Sequence, residues 1–233
     1  MSTRIADDSG AADRPAGVAE PAQFTAADVR AFAARAERVL LRHRACLDRL
    51  DARLGDGDHG ENMSVGFGDA VRALDSEPDE DVGDALRRLG QQLVAGVGGA
   101  GGSLYGTAFI EAGIAVVGRP ALGPRDLALA LDAAAEGLAR RGRCRLGDKT
   151  IYDALRPAAD AFVLAVDEGA DSVTALRVAT SAARAGMRAT RPLIARRGLA
   201  LRLGERSRGP QDPGATSCFL LLRAMIAPQD ARG

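Results

Sequence analysis

The chain has 233 residues, and its 31 Lys and Arg balance 31 Asp and Glu, so the formal net charge at pH 7 is zero. A chain without net charge has no basic field for nucleic-acid phosphates, and an aromatic content of only 3% leaves few rings for base stacking. We therefore expect no nucleic-acid partner. The three cysteines, Cys46, Cys144 and Cys218, are widely spaced, which argues against a disulfide framework or a Cys-rich zinc site and favours a cytoplasmic location.

The first segment, residues 1–23, is rich in Ala, Gly, Asp and Pro and lacks the basic-then-apolar pattern of a secretory signal. We therefore expect a disordered tail there. No apolar run approaches the roughly 18 to 20 residues that a membrane span needs, so no membrane partner is expected. Residues 24–228 have the composition of one globular domain, and residues 229–233 form a second short tail.

Apolar residues recur at helical spacing eight times along this domain. The first predicted helix covers residues 25–50, where Thr25 and Asp28 have the spacing of a capping box. Pro124 and Ser172 supply helix-start chemistry, whereas the glycine-rich segments 98–102 and 204–214 are predicted breaks. The remaining predicted helices cover 61–74, 82–97, 104–117, 124–140, 150–166, 172–189 and 215–226. Because no segment alternates with period two, the predicted fold class is all-α, with short connections that favour antiparallel neighbours.

Acidic residues concentrate between the first two predicted helices. Asp51 is expected at the end of the first helix, and Asp56 and Asp58 on the following loop, with glycines between them. Three carboxylates brought together repel one another unless they are protonated or bound to a cation, and hard oxygen ligands suit Mg²⁺ or Ca²⁺. Asp-Gly-Asp is also common turn chemistry. An EF-hand is excluded because its pattern, started at Asp56, requires Asp or Asn at position 60 and Gly at position 61, where this chain has Gly60 and Glu61.

Three further segments have residues that could bind an anion. The glycine-rich segment 98–106 feeds into a helix N-terminus, whose free N–H groups can cradle phosphate, although close helix packing is the more common reason for such glycines. Lys149 could neutralise phosphate, while residues 212–214 equally fit a plain turn. The residues alone therefore indicate a helical protein with a metal-dependent phosphate or nucleotide site.

Four motifs follow one another along the chain: Leu-Asp-x-x-Leu-Gly-Asp-Gly-Asp-His-Gly, Gly-Gly-Ala-x-Gly-x-Leu-Tyr-Gly-Thr, Gly-Asp-Lys-Thr, and Leu-Gly-Glu-Arg-Ser-x-Gly-x-Gln-Asp-Pro-Gly-Ala-Thr-Ser. In this order and spacing, over residues 25–226, the chain resembles the nucleotide-binding L domain of dihydroxyacetone kinases. The resemblance implies an eight-helix closed barrel with a nucleotide site at one end. It also implies that Asp51, Asp56 and Asp58 hold two Mg²⁺ ions on the phosphates of ADP or ATP.

The resemblance further implies the positions that line the nucleotide: His59, Gly60, Glu61, Asn62, Ala100, Gly101, Gly142, Ile151, Asp212, Pro213 and Gly214. In this family a separate K subunit or domain holds the ketose. The implied function is therefore a kinase subunit that passes a terminal phosphate to dihydroxyacetone, or to another short ketose, on such a partner. The phosphate donor is either exchangeable ATP or a phosphoprotein of the phosphoenolpyruvate-dependent phosphotransferase system that recharges bound ADP. A homodimer is compatible with the same resemblance.

Two positions depart from the family pattern. Gly101 stands where a Ser is expected near a phosphate, and Leu199 where a phosphate-contacting Arg is expected. Losing a charged hydrogen bond to phosphate costs roughly 1.5 to 3 kcal/mol, and Arg197 or Arg202 could substitute for the missing Arg. The alternative function is a non-catalytic, nucleotide-binding regulatory subunit.

Overall fold

The computed structural model describes residues 23–76 and 81–226. Within them are eight α-helices: α1 Ala26–Asp51, α2 His59–Ser76, α3 Val82–Gly96, α4 Gly99–Ala115, α5 Pro124–Gly142, α6 Tyr152–Asp167, α7 Ser172–Ala189 and α8 Pro213–Met225. The predicted all-α class is confirmed. The tails predicted over residues 1–23 and 229–233 lie outside the described residues, apart from residue 23.

The helices begin largely where capping chemistry placed them. The Thr25 amide donates to Asp28 Oδ2 at 2.8 Å, which completes the capping box of α1. Pro124 opens α5, and Asp171 caps α7 by accepting from the Thr174 amide. Local sequence therefore positions these helix starts before tertiary contacts are considered.

The glycine-rich segment 98–102 was predicted as a break, but α4 already begins at Gly99. The glycines serve packing as well as conformation, because a Cβ on Gly106 would lie 2.6 Å from the Gly90 carbonyl oxygen of α3. A Cβ on Gly102 would similarly meet the Leu93 carbonyl oxygen at 2.7 Å. The run is thus the first turn of a helix whose backbone lies close against its neighbour.

Two short elements were not predicted. A 3-10 helix spans Leu199–Ser207 and is interrupted at Gly204, whose φ is 51°. The strands β1 Phe24–Thr25 and β2 Ala121–Leu122 form an antiparallel pair, with Phe24 opposite Leu122. Two-residue strands are too short to show alternation in a sequence.

Helix packing follows chain order, since each helix contacts the next and α8 also contacts α1. A connected apolar core lies between them, and it includes a group of aromatic rings, Phe32, Phe67 and Phe109, with centroids 5.9 to 6.4 Å apart. The closed barrel implied by the resemblance stays a prediction. None of the helices that the structure describes combines the length and the apolar character needed to cross a bilayer.

Candidate functional site

A cavity of about 700 Å³ opens where four helices begin. The first residues of α2, α4 and α8 line it, together with Ile151, which directly precedes α6. A helix N-terminus carries partial positive charge and N–H groups without partners inside the helix. Four such ends at one cavity favour an anionic ligand.

The starts of these helices differ in how their amides are satisfied. Asp48 Oδ1 accepts from the amides of Gly60 and Glu61 in α2, at 2.7 and 3.0 Å. Asp212 caps α8 by accepting from the Ala215 amide at 2.7 Å. In contrast, α4 begins after Gly98 without a side-chain cap and has no acidic residue in its first turn. The start of α6 also has no side-chain cap but has Asp153 in its first turn, so of the four helix starts that of α4 is the most open to a ligand anion.

The three predicted metal ligands meet beside the cavity. Asp51, the last residue of α1, accepts from the backbone amides of Gly57 and Asp58 through Oδ2, at 2.9 and 3.2 Å. These bonds fold the loop back, so that one oxygen each of Asp51, Asp56 and Asp58 lies within 4.8 Å of the others. A Cβ on Gly55 would lie only 2.5 Å from Asp51 Oδ1, so a side chain there would displace the Asp51 carboxylate from this position.

Within residues 23–76 and 81–226, the charge of this group has no counterion. No Lys or Arg among the described residues forms an ion pair with Asp51, Asp56 or Asp58. Burial raises the pKa of Asp51; the hydrogen bond from Gly57 opposes this rise, and the neighbouring Asp56 adds to it. Three oxygen donors without nitrogen or sulfur partners suit a hard divalent cation such as Mg²⁺. The donor set therefore fits the metal that the sequence predicted.

A hydrogen-bonded chain of side chains lies beneath His59. His59 Nε2 is 2.9 Å from Ser217 Oγ, which is in turn 2.7 Å from the Tyr105 hydroxyl. Both hydroxyls also contact the Gly214 carbonyl oxygen, at 3.0 Å from Ser217 and 3.1 Å from Tyr105. Burial lowers the pKa of His59 to about 4, so its imidazole is neutral at pH 7.

Lys149 was expected to neutralise phosphate, but its ammonium group is engaged elsewhere. Its side chain is buried, and Nζ donates to the carbonyl oxygens of Thr190 and Pro210 at 2.5 and 2.7 Å. These bonds close the base of the loop that carries the 3-10 helix. Lys149 therefore anchors the rim of the cavity, although its side chain also lines it.

Three arginines line the cavity: Arg141, Arg197 and Arg202. Arg197 Nε pairs with Asp148 Oδ2 at 3.0 Å, so part of its charge is already used. Arg141 and Arg202 have no carboxylate partner among the residues that the structure describes. Leu199 also lines the cavity and is 45% exposed. Of the two suggested substitutes for the missing family Arg, Arg202 is the one with a free guanidinium.

The structure brings together most residues that the resemblance assigned to metal and nucleotide. Those that line the cavity are Asp51, Asp56, Asp58, His59, Asn62, Ala100, Gly101, Gly142, Ile151, Asp212, Pro213 and Gly214. Gly60 and Glu61 do not line it; the Gly60 amide is bonded to Asp48, and the Glu61 carboxylate pairs with Arg44 at 2.7 Å.

Sequence reasoning gave no role to Asp48 or Ser217 and named Tyr105 only as part of a motif. Asp48 precedes the acidic loop by one helical turn and reads as an ordinary surface residue of α1. Tyr105 and Ser217 are 112 residues apart in the sequence, so their contact could not be predicted from a local pattern.

Comparisons with known proteins identify the family of the chain. The chain matches the sequence model of the DAK2 domain over residues 53–227. It is 38% identical over 179 residues to the PEP-dependent dihydroxyacetone kinase, ADP-binding subunit DhaL, of Escherichia coli K12, covering 77% of this chain and 85% of that protein. It is 37% identical over 187 residues to the corresponding subunit of dihydroxyacetone kinase 2 of Listeria innocua, covering 79% and 86%.

The fold is similar to the dihydroxyacetone kinase of C. freundii in its native form, with a TM-score of 0.66 and 23% identity. The match covers 97% of this chain but only 38% of that kinase chain. A second structure of that kinase, in complex with AMP-PNP and Mg²⁺, gives a TM-score of 0.63. At this identity the likeness concerns the fold alone, whereas the domain match and the two bacterial relatives show that the chain belongs to the DAK2 domain family.

Proposed function

We propose that the chain is the nucleotide-binding subunit of a kinase that phosphorylates a short ketose such as dihydroxyacetone. It binds ADP or ATP with Mg²⁺ in the cavity, and the terminal phosphate passes to a sugar held by a separate K subunit. One observation carries the proposal: among the described residues, the same cavity contains three carboxylates without a cation and two arginines without a carboxylate. A magnesium nucleotide supplies both partners: Mg²⁺ is the cation for the carboxylates, and the phosphates are the anions for the arginines.

In this arrangement Asp51, Asp56 and Asp58 hold two Mg²⁺ ions. Bound Mg²⁺ neutralises charge on transferring phosphates, which is a main requirement of phosphoryl transfer. The uncapped amides at the start of α4 and the guanidinium of Arg202 add donors for phosphate oxygens. Ile151 offers an aliphatic contact to the base, in a chain with few aromatic residues.

Two features of the relatives support a partner. The E. coli and Listeria innocua relatives are named as subunits of dihydroxyacetone kinase, and this chain spans only 38% of the C. freundii kinase chain. The ketose pocket then lies on the K subunit. An erythrulose acceptor is an option because the L-erythrulose 1-kinase of Mycolicibacterium smegmatis is 36% identical over 191 residues, covering 81% of this chain and 33% of that protein.

For the phosphate donor we propose a phosphoprotein that recharges bound ADP. The relatives that support this choice are named PEP-dependent in E. coli and Listeria innocua, and PTS-dependent in Lactococcus lactis, where identity is 31% over 184 residues, or 79% of this chain and 88% of that protein. An ADP that stays bound through purification is the expected signature.

The deciding experiment mixes the purified chain with a dihydroxyacetone-binding K subunit, dihydroxyacetone or erythrulose, Mg²⁺, and either ATP or a phosphorylated phosphotransferase protein. Phosphorylated ketose is expected with the phosphorylated phosphotransferase protein as donor and is lost when Mg²⁺ is chelated. No product under any combination, with Mg-ADP still bound, would leave the regulatory subunit as the function. Gly101 and Leu199, which bring no polar side chain to the cavity, are the residues that favour that alternative.

A further inference from the structure

The side-chain network beneath His59 is not used by the proposed function. It contains His59 Nε2, Ser217 Oγ, the Tyr105 hydroxyl and the Gly214 carbonyl oxygen. Ser217 is fully buried and Tyr105 is 5% exposed. These groups join the starts of α2 and α8 to the first half of α4, at the wall of the cavity. Buried polar groups of this kind need hydrogen-bond partners, so their protons can be assigned.

Four close contacts connect these groups: His59 to Ser217, Ser217 to Tyr105, and each hydroxyl to the Gly214 carbonyl oxygen. The carbonyl has no proton, and each hydroxyl has one. If Nε2 carried no proton, two protons would have to serve four contacts. If Nε2 carries one, Ser217 accepts from His59 and Tyr105 and donates to Gly214, while the tyrosine proton is shared with that carbonyl.

We infer that this network keeps a proton on Nε2 of His59, so that in the neutral ring Nδ1 is a hydrogen-bond acceptor at the cavity. A Cβ on Gly101 would lie 3.6 Å from both Cε1 and Nδ1, which places this edge of the ring against the start of α4. Glycine brings no hydroxyl to that position, and no described residue donates to Nδ1.

This assignment determines what His59 can bind. An unprotonated Nδ1 accepts a hydrogen from a hydroxyl, an amine or a water molecule, and it repels a bare phosphate oxygen. Ser217 and Tyr105 are then positioning residues, because they act on the ligand through the orientation and tautomer of His59. This second step rests on the proposed nucleotide site, whereas the tautomer itself does not.

The tautomer can be read from the histidine side-chain ¹⁵N resonances of the labelled full chain. The sequence has only two histidines, and His43 is an internal reference of the opposite kind, since its Nδ1 lies 2.8 Å from the Val39 carbonyl oxygen and must donate. A His43→Gln variant assigns the pair. We expect the Nε2–H pattern for His59, both alone and with saturating Mg-ADP. An Nδ1–H pattern in either state would overturn the inference, and a doubly protonated ring would overturn the acceptor role of Nδ1.

Two matched serine variants test the positioning role. Ser217→Ala removes the acceptor of Nε2–H and should weaken Mg-ADP binding about tenfold, the size of one good hydrogen bond. Ser64→Ala removes a comparable buried hydroxyl, bonded to the Glu61 carbonyl oxygen, and should leave affinity unchanged. Tyr105→Phe keeps the ring and should weaken binding by less than Ser217→Ala.

The outcomes separate the inference from the proposed function. Equal Mg-ADP affinity in Ser217→Ala, Ser64→Ala and the parent would overturn the positioning role while leaving the nucleotide site intact. A parent chain that binds no Mg-ADP but shows the Nε2–H pattern would overturn the proposed function and support the tautomer. Should Ser217→Ala fail to fold, Tyr105→Phe with unchanged affinity and an unchanged His59 spectrum would count against the network.

Discussion

Two groups of three carboxylates differ in whether the described residues supply them with a cation. The first lies between α5 and α6 and surrounds the guanidinium of Arg156, at 2.6 to 3.3 Å: Asp132, Glu136 and Asp160. The Arg156 side chain is 12% exposed, while its partners are 49 to 63% exposed. The protein supplies a cation to this group, and water solvates the remaining charge of its half-exposed carboxylates.

The second group, Asp51, Asp56 and Asp58, lies beside the cavity without a cation from the described residues. Arg141 and Arg202 line the same cavity and do not pair with it. Where charges of both signs stay unpaired within one cavity, a ligand that carries both signs is the simplest physical reason. The contrast with Arg156 supports the proposal that the acidic loop is a metal site rather than a polar surface.

Removing one carboxylate of the cavity group should have the largest effect. Asp56→Asn keeps the size of the side chain but removes a charged oxygen ligand, so Mg-ADP binding should weaken at least about a hundredfold, or about 2.7 kcal/mol. Isothermal titration calorimetry in the presence of Mg²⁺ measures this directly. Helical content should not change, because residue 56 lies on the loop between α1 and α2.

The matched control is Asp132→Asn, which removes one carboxylate from the group around Arg156. We expect its Mg-ADP affinity to equal that of the parent. Undiminished affinity in Asp56→Asn, or an equal loss in both variants, would contradict the metal assignment. Without Mg²⁺, Asp56→Asn should raise the thermal midpoint slightly, because it relieves repulsion among carboxylates that no cation of the described residues offsets.

The contrast also shows which parts of the structure the sequence predicts. The helix starts at Thr25 and Pro124 follow from local capping and proline chemistry, and the structure has them within one residue. The start of α4 was predicted five residues late, because glycine is a weak helix former. The structural reason for a glycine such as Gly106 is the close approach of the α3 backbone, which the local sequence does not show. Local preference and tertiary packing point in opposite directions there.

In the candidate site, too, contacts between sequence neighbours could be predicted and contacts between distant residues could not. Asp51, Asp56 and Asp58 are close in sequence, so their convergence could be predicted from the loop alone. The hydrogen bond from His59 to Ser217 spans 158 residues and could not be predicted from spacing. The position of Lys149 was predictable but its partners were not, because they are backbone carbonyls of a distant loop.

Removing the cation from the other group should affect stability and not binding. Arg156→Gln leaves three carboxylates facing one another and should lower the free energy of unfolding by about 1 to 2 kcal/mol, limited by the exposure of the carboxylates. Urea unfolding followed by circular dichroism measures the loss. Mg-ADP affinity should stay at the parental value; a tenfold change would mean that the two groups are coupled.

Arg202 is one of the two cavity arginines that have no carboxylate partner among the described residues. Arg202→Ala should weaken Mg-ADP binding about tenfold, or about 1.4 kcal/mol, because a guanidinium facing phosphate is lost. Arg208→Ala is the control, since Arg208 does not line the cavity and its side chain pairs with Glu205 at 3.1 Å. Equal affinity in Arg202→Ala and the parent would remove Arg202 from the site.

The smallest expected effect is a gain. Gly101→Ser restores a hydroxyl at the start of α4, and its Cβ would meet His59 and Met63 atoms only at ordinary contact distances of 3.6 and 3.7 Å. One added hydrogen bond in a site already occupied by Mg-ADP should strengthen binding a few-fold, or about 0.5 to 1 kcal/mol. Gly102→Ser is the matched control, because its Cβ would lie 2.7 Å from the Leu93 carbonyl oxygen and should destabilise the fold instead. If Gly101→Ser weakens Mg-ADP binding while the fold is unchanged, the space in front of His59 is needed by the ligand itself.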